Sequence, residues 1–182
     1  GKGAGQRAST DYSLKNCTGG NCERRREYIA AASDLLVKDL EDMAANWAAG
    51  GAARKALSKA GAKGALRAIL TGMGSLSYGE LAGERMKLGL LLGDPEEEHD
   101  CFSDNTHNSH YYDALGIQNI YLGKYTRING KVLSGPSLSQ LVASKDKALD
   151  KELRTKLNAT MTAMGNMVKR AEKGEAYDQM IG

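Results

Sequence analysis

Six apolar residues in the C-terminal quarter of the chain, Leu149, Leu153, Leu157, Met161, Met164 and Val168, step by four, four, four, three and four. That spacing draws one stripe along an α-helix and is incompatible with a strand, whose side chains alternate faces with period two. A helix with a single apolar stripe must bury it against another apolar surface, so the chain is committed to packing helix on helix. Two further stripes point the same way: Ile29, Leu36, Leu40, Met43 and Trp47, and then Leu81, Leu88 and Leu92. Phe and Trp occur once each and Pro twice, which disfavours a β-sandwich. The expected fold is an all-α helical bundle with no sheet, its core built from these three stripes. If the chain is instead part of a larger helical domain, one apolar face stays exposed and shows as aggregation or as pairing with another chain.

The punctuation between the stripes gives the element order. Gly1 to Asn21 reads as irregular, and Glu23 opens a long helix that Gly50-Gly51 ends. Ala52 to Leu92 keeps a helical composition, interrupted at Gly72 and Gly74 and stopped by Gly93-Asp94-Pro95. From about Thr106, His107, Tyr111, Ala114 and Gln118 keep helical spacing to Leu122. Lys124 to Gly135 reads as a connection around Asn129-Gly130, with Pro136 and Ser137 initiating a short helix over Leu138, Leu141 and Val142. Trp47 and the cluster Met161, Met164 and Met167 read as packing, not as a cofactor box.

Charge is distributed unevenly. Lys and Arg number 25 against 22 Asp and Glu, for a net charge of +3. That is too little to argue for nucleic acid, and no nucleic-acid motif appears. No apolar run approaches the roughly 18 residues of a membrane span. Seven of the acids lie between Asp94 and Asp113, in DPEEEHDCFSDNTHNSHYYD, and no Lys or Arg occurs from Leu88 to Gly123. All three histidines, His99, His107 and His110, fall inside this acidic island. Carboxylates and imidazoles are the oxygen and nitrogen donors of divalent and trivalent metals, so the chemistry of this chain is expected here.

Several specific patterns fail. His-Glu-x-x-His is absent, and Glu96-x-x-His99 has no second copy to complete a di-iron centre. Ser103, His107 and Asp104 suggest a triad on paper, but no nucleophile elbow accompanies them. Ser103-Asp104-Asn105-Thr106 is a run of helix-capping residues. His107 and His110, three apart with Asp113 three further on, make a half-site for a metal or an ordinary surface pair at a helix start. Cys17 and Cys22 flank a short Thr-Gly-Gly-Asn loop that closes as a disulfide in an oxidising compartment and otherwise holds two free thiols. No Cys or His pair elsewhere completes a zinc ribbon, and the acids around Cys101 disfavour its thiolate.

A wider pattern runs through the chain: Gly72-Met73-Gly74-Ser75-Leu76-Ser77, Gly79-Glu80-Leu81-Ala82-Gly83-Glu84-Arg85-Met86, Glu98-His99, Cys101-Phe102-Ser103-Asp104-Asn105-Thr106-His107 and Gly116-Ile117-Gln118-Asn119-Ile120-Tyr121-Leu122-Gly123. With Gly5-Gln6-Arg7, Thr10-Asp11-Tyr12, Cys17, Cys22-Glu23-Arg24-Arg25 and Tyr28, it resembles the imelysin family over essentially the whole chain. That family includes insulin-cleaving metalloproteinases and iron-regulated outer-membrane or periplasmic proteins of bacteria. The resemblance implies two helical lobes with a site between them and a Gly-x-His-x-x-Glu metal motif. No histidine here has Gly two before it and Glu three after it, so the chain (residues 1–182) resembles the second lobe, with the first lobe expected elsewhere or on a second chain.

The resemblance further implies a bacterial envelope protein, periplasmic or outer-membrane, that binds iron or zinc, with metallopeptidase activity or a purely structural role as alternatives. The expected metal contributors are Glu80, Glu98, His99, Asp104 and His107, supported by Arg85, Ser103 and Asn105. A metal or a peptide is the expected ligand. An oxidising envelope location implies that Cys17 and Cys22 are joined and Cys101 is free.

Overall fold

The structure is a computed structural model that describes residues 7–182, leaving Gly5 and Gln6 of the family-like segments outside it. The fold is all-α, and the chain divides into two compact units at Thr71–Gly72.

The first unit holds a 3-10 turn, Ser9–Tyr12, followed by α1 (Cys22–Trp47), α2 (Ala52–Lys59) and most of α3 (Gly61–Gly74), whose last residues open the second unit. Its best-made feature is the knot at the start of α1. Asp11 is fully buried and accepts from Arg7 Nη1 at 3.1 Å and Thr18 Oγ1 at 2.7 Å. Arg25, in the first turn of α1, donates to the Asp11 carbonyl at 2.6 Å and the Gly19 carbonyl at 2.9 Å. The Cys17–Cys22 disulfide closes the same loop, and Cys101 is a free thiol.

Beyond that knot the expected core fails. Ile29, Leu36, Leu40, Met43 and Trp47 are between 48% and 59% exposed. The reason is that α1 packs against the turn at its beginning and α2 at its end, and neither covers the stripe in between.

After the end of α3 the second unit enters a π-helical segment, Ser75–Lys87, and continues through α4 (Leu88–Leu92), a 3-10 turn at Pro95–Glu97, α5 (Thr106–Leu122), a hairpin, α6 (Leu138–Ala143), α7 (Lys147–Glu172) and α8 (Tyr177–Ile181). Its core joins three elements: Leu81 and Met86 from the π segment, Tyr111 and Ala114 from α5, and Met161, Met164 and Met167 from α7. The Leu81 stripe does not continue as expected, for Leu88 and Leu92 are 37% and 58% exposed. Wider π turns, bonded i to i+5, shift the phase of every residue that follows. Gly83 fits that geometry, since a Cβ there would lie 3.0 Å from the Tyr78 carbonyl.

The expectation of no sheet is also corrected. Strands β1 (Lys124–Thr126) and β2 (Val132–Ser134) pair antiparallel, with Tyr125 opposite Leu133. Gly130, at φ +78°, lets the Asn129-Gly130 turn close the hairpin. The short helix after it starts on a capping box, Ser137 Oγ accepting from the Gln140 amide at 3.0 Å and Gln140 Oε1 from the Ser137 amide at 3.1 Å. No described helix is long and apolar enough to cross a membrane.

Candidate functional site

The acidic island is folded by its own punctuation. Gly93, at φ +59°, ends α4, and Asp94 Oδ1 accepts from the Glu96 amide at 2.9 Å, so the chain doubles back. Glu98 is thereby carried inward to 7% exposure. There its Oε2 accepts from Thr106 Oγ1 at 3.0 Å, while the same hydroxyl accepts from the Asp100 amide at 2.9 Å. Thr106 is thus spent on the island instead of on its own helix. The expected capping run behaves differently too: Asn105 occupies the N-cap position without a side-chain cap, its Oδ1 accepting from Asn108 Nδ2 at 2.8 Å. Ser103 Oγ turns back to the Asp100 carbonyl at 3.2 Å.

Three of the five expected metal contributors, Glu80, Glu98 and His99, line one hollow of about 400 Å³, with Arg85 among them. Arg85 reaches in from the π segment. Its Nη1 lies 3.2 Å from Asp113 Oδ2 and 3.0 Å from His99 Nε2, and its Nε 3.9 Å from Glu80 Oε2. A guanidinium only donates, so His99 Nε2 is the acceptor and its ring proton sits on Nδ1. Behind Arg85 a second hollow of about 490 Å³ is lined by Asn105, Asn108, Ser109, Tyr112 and Asp113 as well as His99.

Asp104 and His107 do not line the first hollow. Asp104 sits in a left-handed turn at φ +54°. His107 Nε2 lies 3.3 Å from Asn108 Nδ2, and its buried Nδ1 has no partner. As they stand these residues do not fit a metal ion by themselves. Among the described residues no three His, Cys, Asp or Glu side chains converge on one point, and a protein cation, Arg85, already holds the lone pair of His99.

The fold makes two residues conspicuous, His110, which the sequence offered only as one half of a pair with His107, and Tyr177, which it did not single out. His110 is fully buried, and neither ring nitrogen has a hydrogen-bond partner. Its ring stacks at 6.4 Å on His99 and meets Tyr177 of α8 edge-on at 5.1 Å. Burial pushes its pKa down to about 4, with the neighbouring His99 and Arg85 adding to the fall and Asp113 and Asp100 opposing it. Tyr177 is 2% exposed with an unpartnered hydroxyl, its pKa raised by burial and by the charge of Glu98. Glu98 is itself raised, first by burial, against the Thr106 hydrogen bond and with Asp178, Asp104 and Asp100 adding to the rise.

A signal for His110 did exist. The buried residues of α5 are Thr106, His110, Ala114, Ile117 and Tyr121, stepping four, four, three and four. The expected stripe His107, Tyr111, Ala114 and Gln118 shares Ala114 with that buried face and otherwise follows the adjacent one. Nothing in the local sequence marks Tyr177, which lies on the last helix.

A second polar cluster lies further along the same buried face. Tyr121 OH donates to Asp150 Oδ1 at 2.9 Å, and Ser139 Oγ donates to the same oxygen at 2.6 Å. The three residues tie α5, α6 and α7 together, and none of their side-chain polar atoms is buried without a partner. The Ser139 hydrogen bond is the chief reason the Asp150 carboxyl is held below its usual range, and burial with the Asp150 bond pushes Tyr121 up to about 12.

The imelysin family model (peptidase family M75) matches residues 1–182, and the chain belongs to that family. Comparison with proteins of curated function returns no match.

Proposed function

We propose that this chain, as a member of the imelysin family, associates with a metal ion, iron in the first place, in the bacterial cell envelope, serving its binding or uptake. The observation that carries the reading is the meeting of Glu80, Glu98 and His99 in one hollow, with the buried, unpartnered ring of His110 stacked on His99. Buried polar atoms without partners are costly, roughly 1–3 kcal/mol each, and call for a ligand, an ion or a water. Glu98 and the surrounding aspartates make that ligand a cation by charge. Because the five expected donors do not converge, further donors come from other residues, from a further lobe or from a second copy of the chain. Asp104 and His107 are assigned to the rim of the site.

The test is titration of the purified protein with Fe(III), Fe(II) and Zn(II), read by calorimetry and by metal content after desalting. Iron retained near one equivalent, and lost on replacing Glu98 by Gln, supports the proposal. Absence of pH-dependent binding of any of the three overturns it in favour of a structural or partner-binding unit. Chelator-sensitive cleavage of an unfolded peptide would shift the reading to a metallopeptidase.

A further inference from the structure

Helix α5 carries opposite charge at its two ends. No Lys or Arg occurs from Leu88 to Gly123, and no Asp or Glu occurs from Ala114 to Lys145, a span that holds Lys124, Arg127, Lys131 and Lys145. Each end also presents apolar surface that the chain leaves uncovered. Phe102, the only phenylalanine, stands 93% exposed ahead of α5, between Asp100 and Asp104. At the other end the hairpin and the outer side of α5 enclose a cleft of about 390 Å³, walled by Tyr112, Leu115, Asn119, Tyr125 and Ile128 over Gly116. Tyr112, Tyr125 and Ile128 are each more than half exposed. Among the described residues Asp100, Asp104, Lys124, Arg127 and Lys131 make no ion pair. Gly116 sits mid-helix, where glycine is less favourable than alanine. A Cβ there would meet no atom of the chain within 4 Å, so packing inside the fold does not ask for a glycine. The bare backbone leaves the floor of the cleft open to a close approach from outside.

We infer that a second copy of the chain covers these two surfaces, forming a two-fold dimer in which Phe102 of each copy inserts into the cleft over Gly116 of the other. Antiparallel pairing of two α5 helices about the axis sets each acidic beginning against the other copy's basic hairpin, and the symmetry makes the contact twice. The phenyl ring supplies the apolar anchor at the centre of each contact, where aromatic side chains concentrate binding energy. Asp100 and Asp104 beside the ring meet Lys124, Arg127 and Lys131 of the hairpin, all without an ion pair in the single chain. Charge also selects this orientation, since a parallel pairing would set acid against acid at one end and base against base at the other. Every residue involved belongs to the second unit, and the contact is independent of any metal.

Sedimentation equilibrium of the full chain at low and high salt reads the association directly. The expected result is a monomer–dimer equilibrium that weakens several-fold in high salt. Phe102→Ala removes the knob and Gly116→Leu fills the cleft, and each alone weakens dimerisation about tenfold or more. A mixture of the two variants recovers dimers, because the intact Phe102 of one still meets the open cleft of the other. Both positions lie outside the core, so both variants are expected to fold, which circular dichroism verifies. Dimers that survive both substitutions overturn the inference and point to another face, the exposed α1 stripe included. No recovery in the mixture overturns the pairing of Phe102 with the cleft. A chain that stays monomeric at low salt overturns it as well, and binding of such monomers to phosphatidylglycerol vesicles, lost in Arg127→Glu, would give the cleft to a lipid surface instead.

Discussion

The two buried polar clusters on the α5 face are chemically alike and differ in completeness. Each contains a carboxylate, a tyrosine and a hydroxyl: Asp150, Tyr121 and Ser139 in one, Glu98, Tyr177 and Thr106 in the other. In the first, both hydroxyl donors end on the one carboxylate, which is held ionised. In the second, Thr106 alone serves the carboxylate, whose pKa is raised, and His110 and Tyr177 are left bare. A closed network rigidifies a fold, whereas an open one is a cost that folding alone does not repay. The closed cluster therefore reads as the joint of the second unit, and the open one as its place for a ligand.

Asp150→Ala is the severest test of that division. It should produce the largest loss of the set, because it strands Tyr121 OH and Ser139 Oγ inside the packing of α5, α6 and α7. Denaturant melts that place Asp150→Ala within error of the unaltered chain would remove the joint.

Acid should attack the open cluster first. In the unfolded chain His110 takes its proton near its ordinary value of 6.5, but in the fold only near 4. The unfolded state binds more protons between those limits, so the stability of the metal-free protein falls as pH falls from 6.5 to 4, by on the order of 3 kcal/mol. The Asp150 carboxyl is shifted in the same direction, so its contribution is also lost as pH falls, but only below the ordinary carboxylate range. Melts at closely spaced pH values separate the two steps, and His110→Gln should flatten the upper one.

A smaller effect should change sign between the two tyrosines. Tyr121→Phe breaks a made hydrogen bond and should cost about 1 kcal/mol, whereas Tyr177→Phe in metal-free protein should be neutral or stabilising by up to ~1 kcal/mol. Equal losses at both positions would mean that Tyr177 has a partner in solution. The smallest effect belongs to Arg85→Ala. Its side chain is 26% exposed and its carboxylate partners more so, which limits the loss to about 0.5–1 kcal/mol. The same change frees His99 Nε2, so affinity of the outer hollow for Zn(II) should rise; calorimetry showing a fall would make Arg85 a support for the metal instead of its competitor.

Much of the helical framework was legible because its causes are local. Leu149 to Val168 lies within α7, whose N-cap Asp146 accepts from two first-turn amides. Ser137 begins α6 where its residue type and the preceding proline place it, and Asn129-Gly130 marks the hairpin turn even though the flanking residues carried no visible strand pattern. The density of acids and histidines likewise located the chemically distinctive stretch, because composition survives folding.

The sequence by itself determined which segments are helical, where most of them stop, and which twenty residues hold the metal-type donors. Tertiary structure alone decided which face of each helix is covered. It left the α1 stripe exposed and shifted the phase after Leu81 through a π segment. It chose Thr106–His110–Tyr121 over the adjacent face of α5, which turned His110 from a surface histidine into a buried one. Side chains meet across helices at distances that local spacing does not encode, so the pairing of Arg85 with His99 and of His110 with Tyr177 had to be seen in three dimensions.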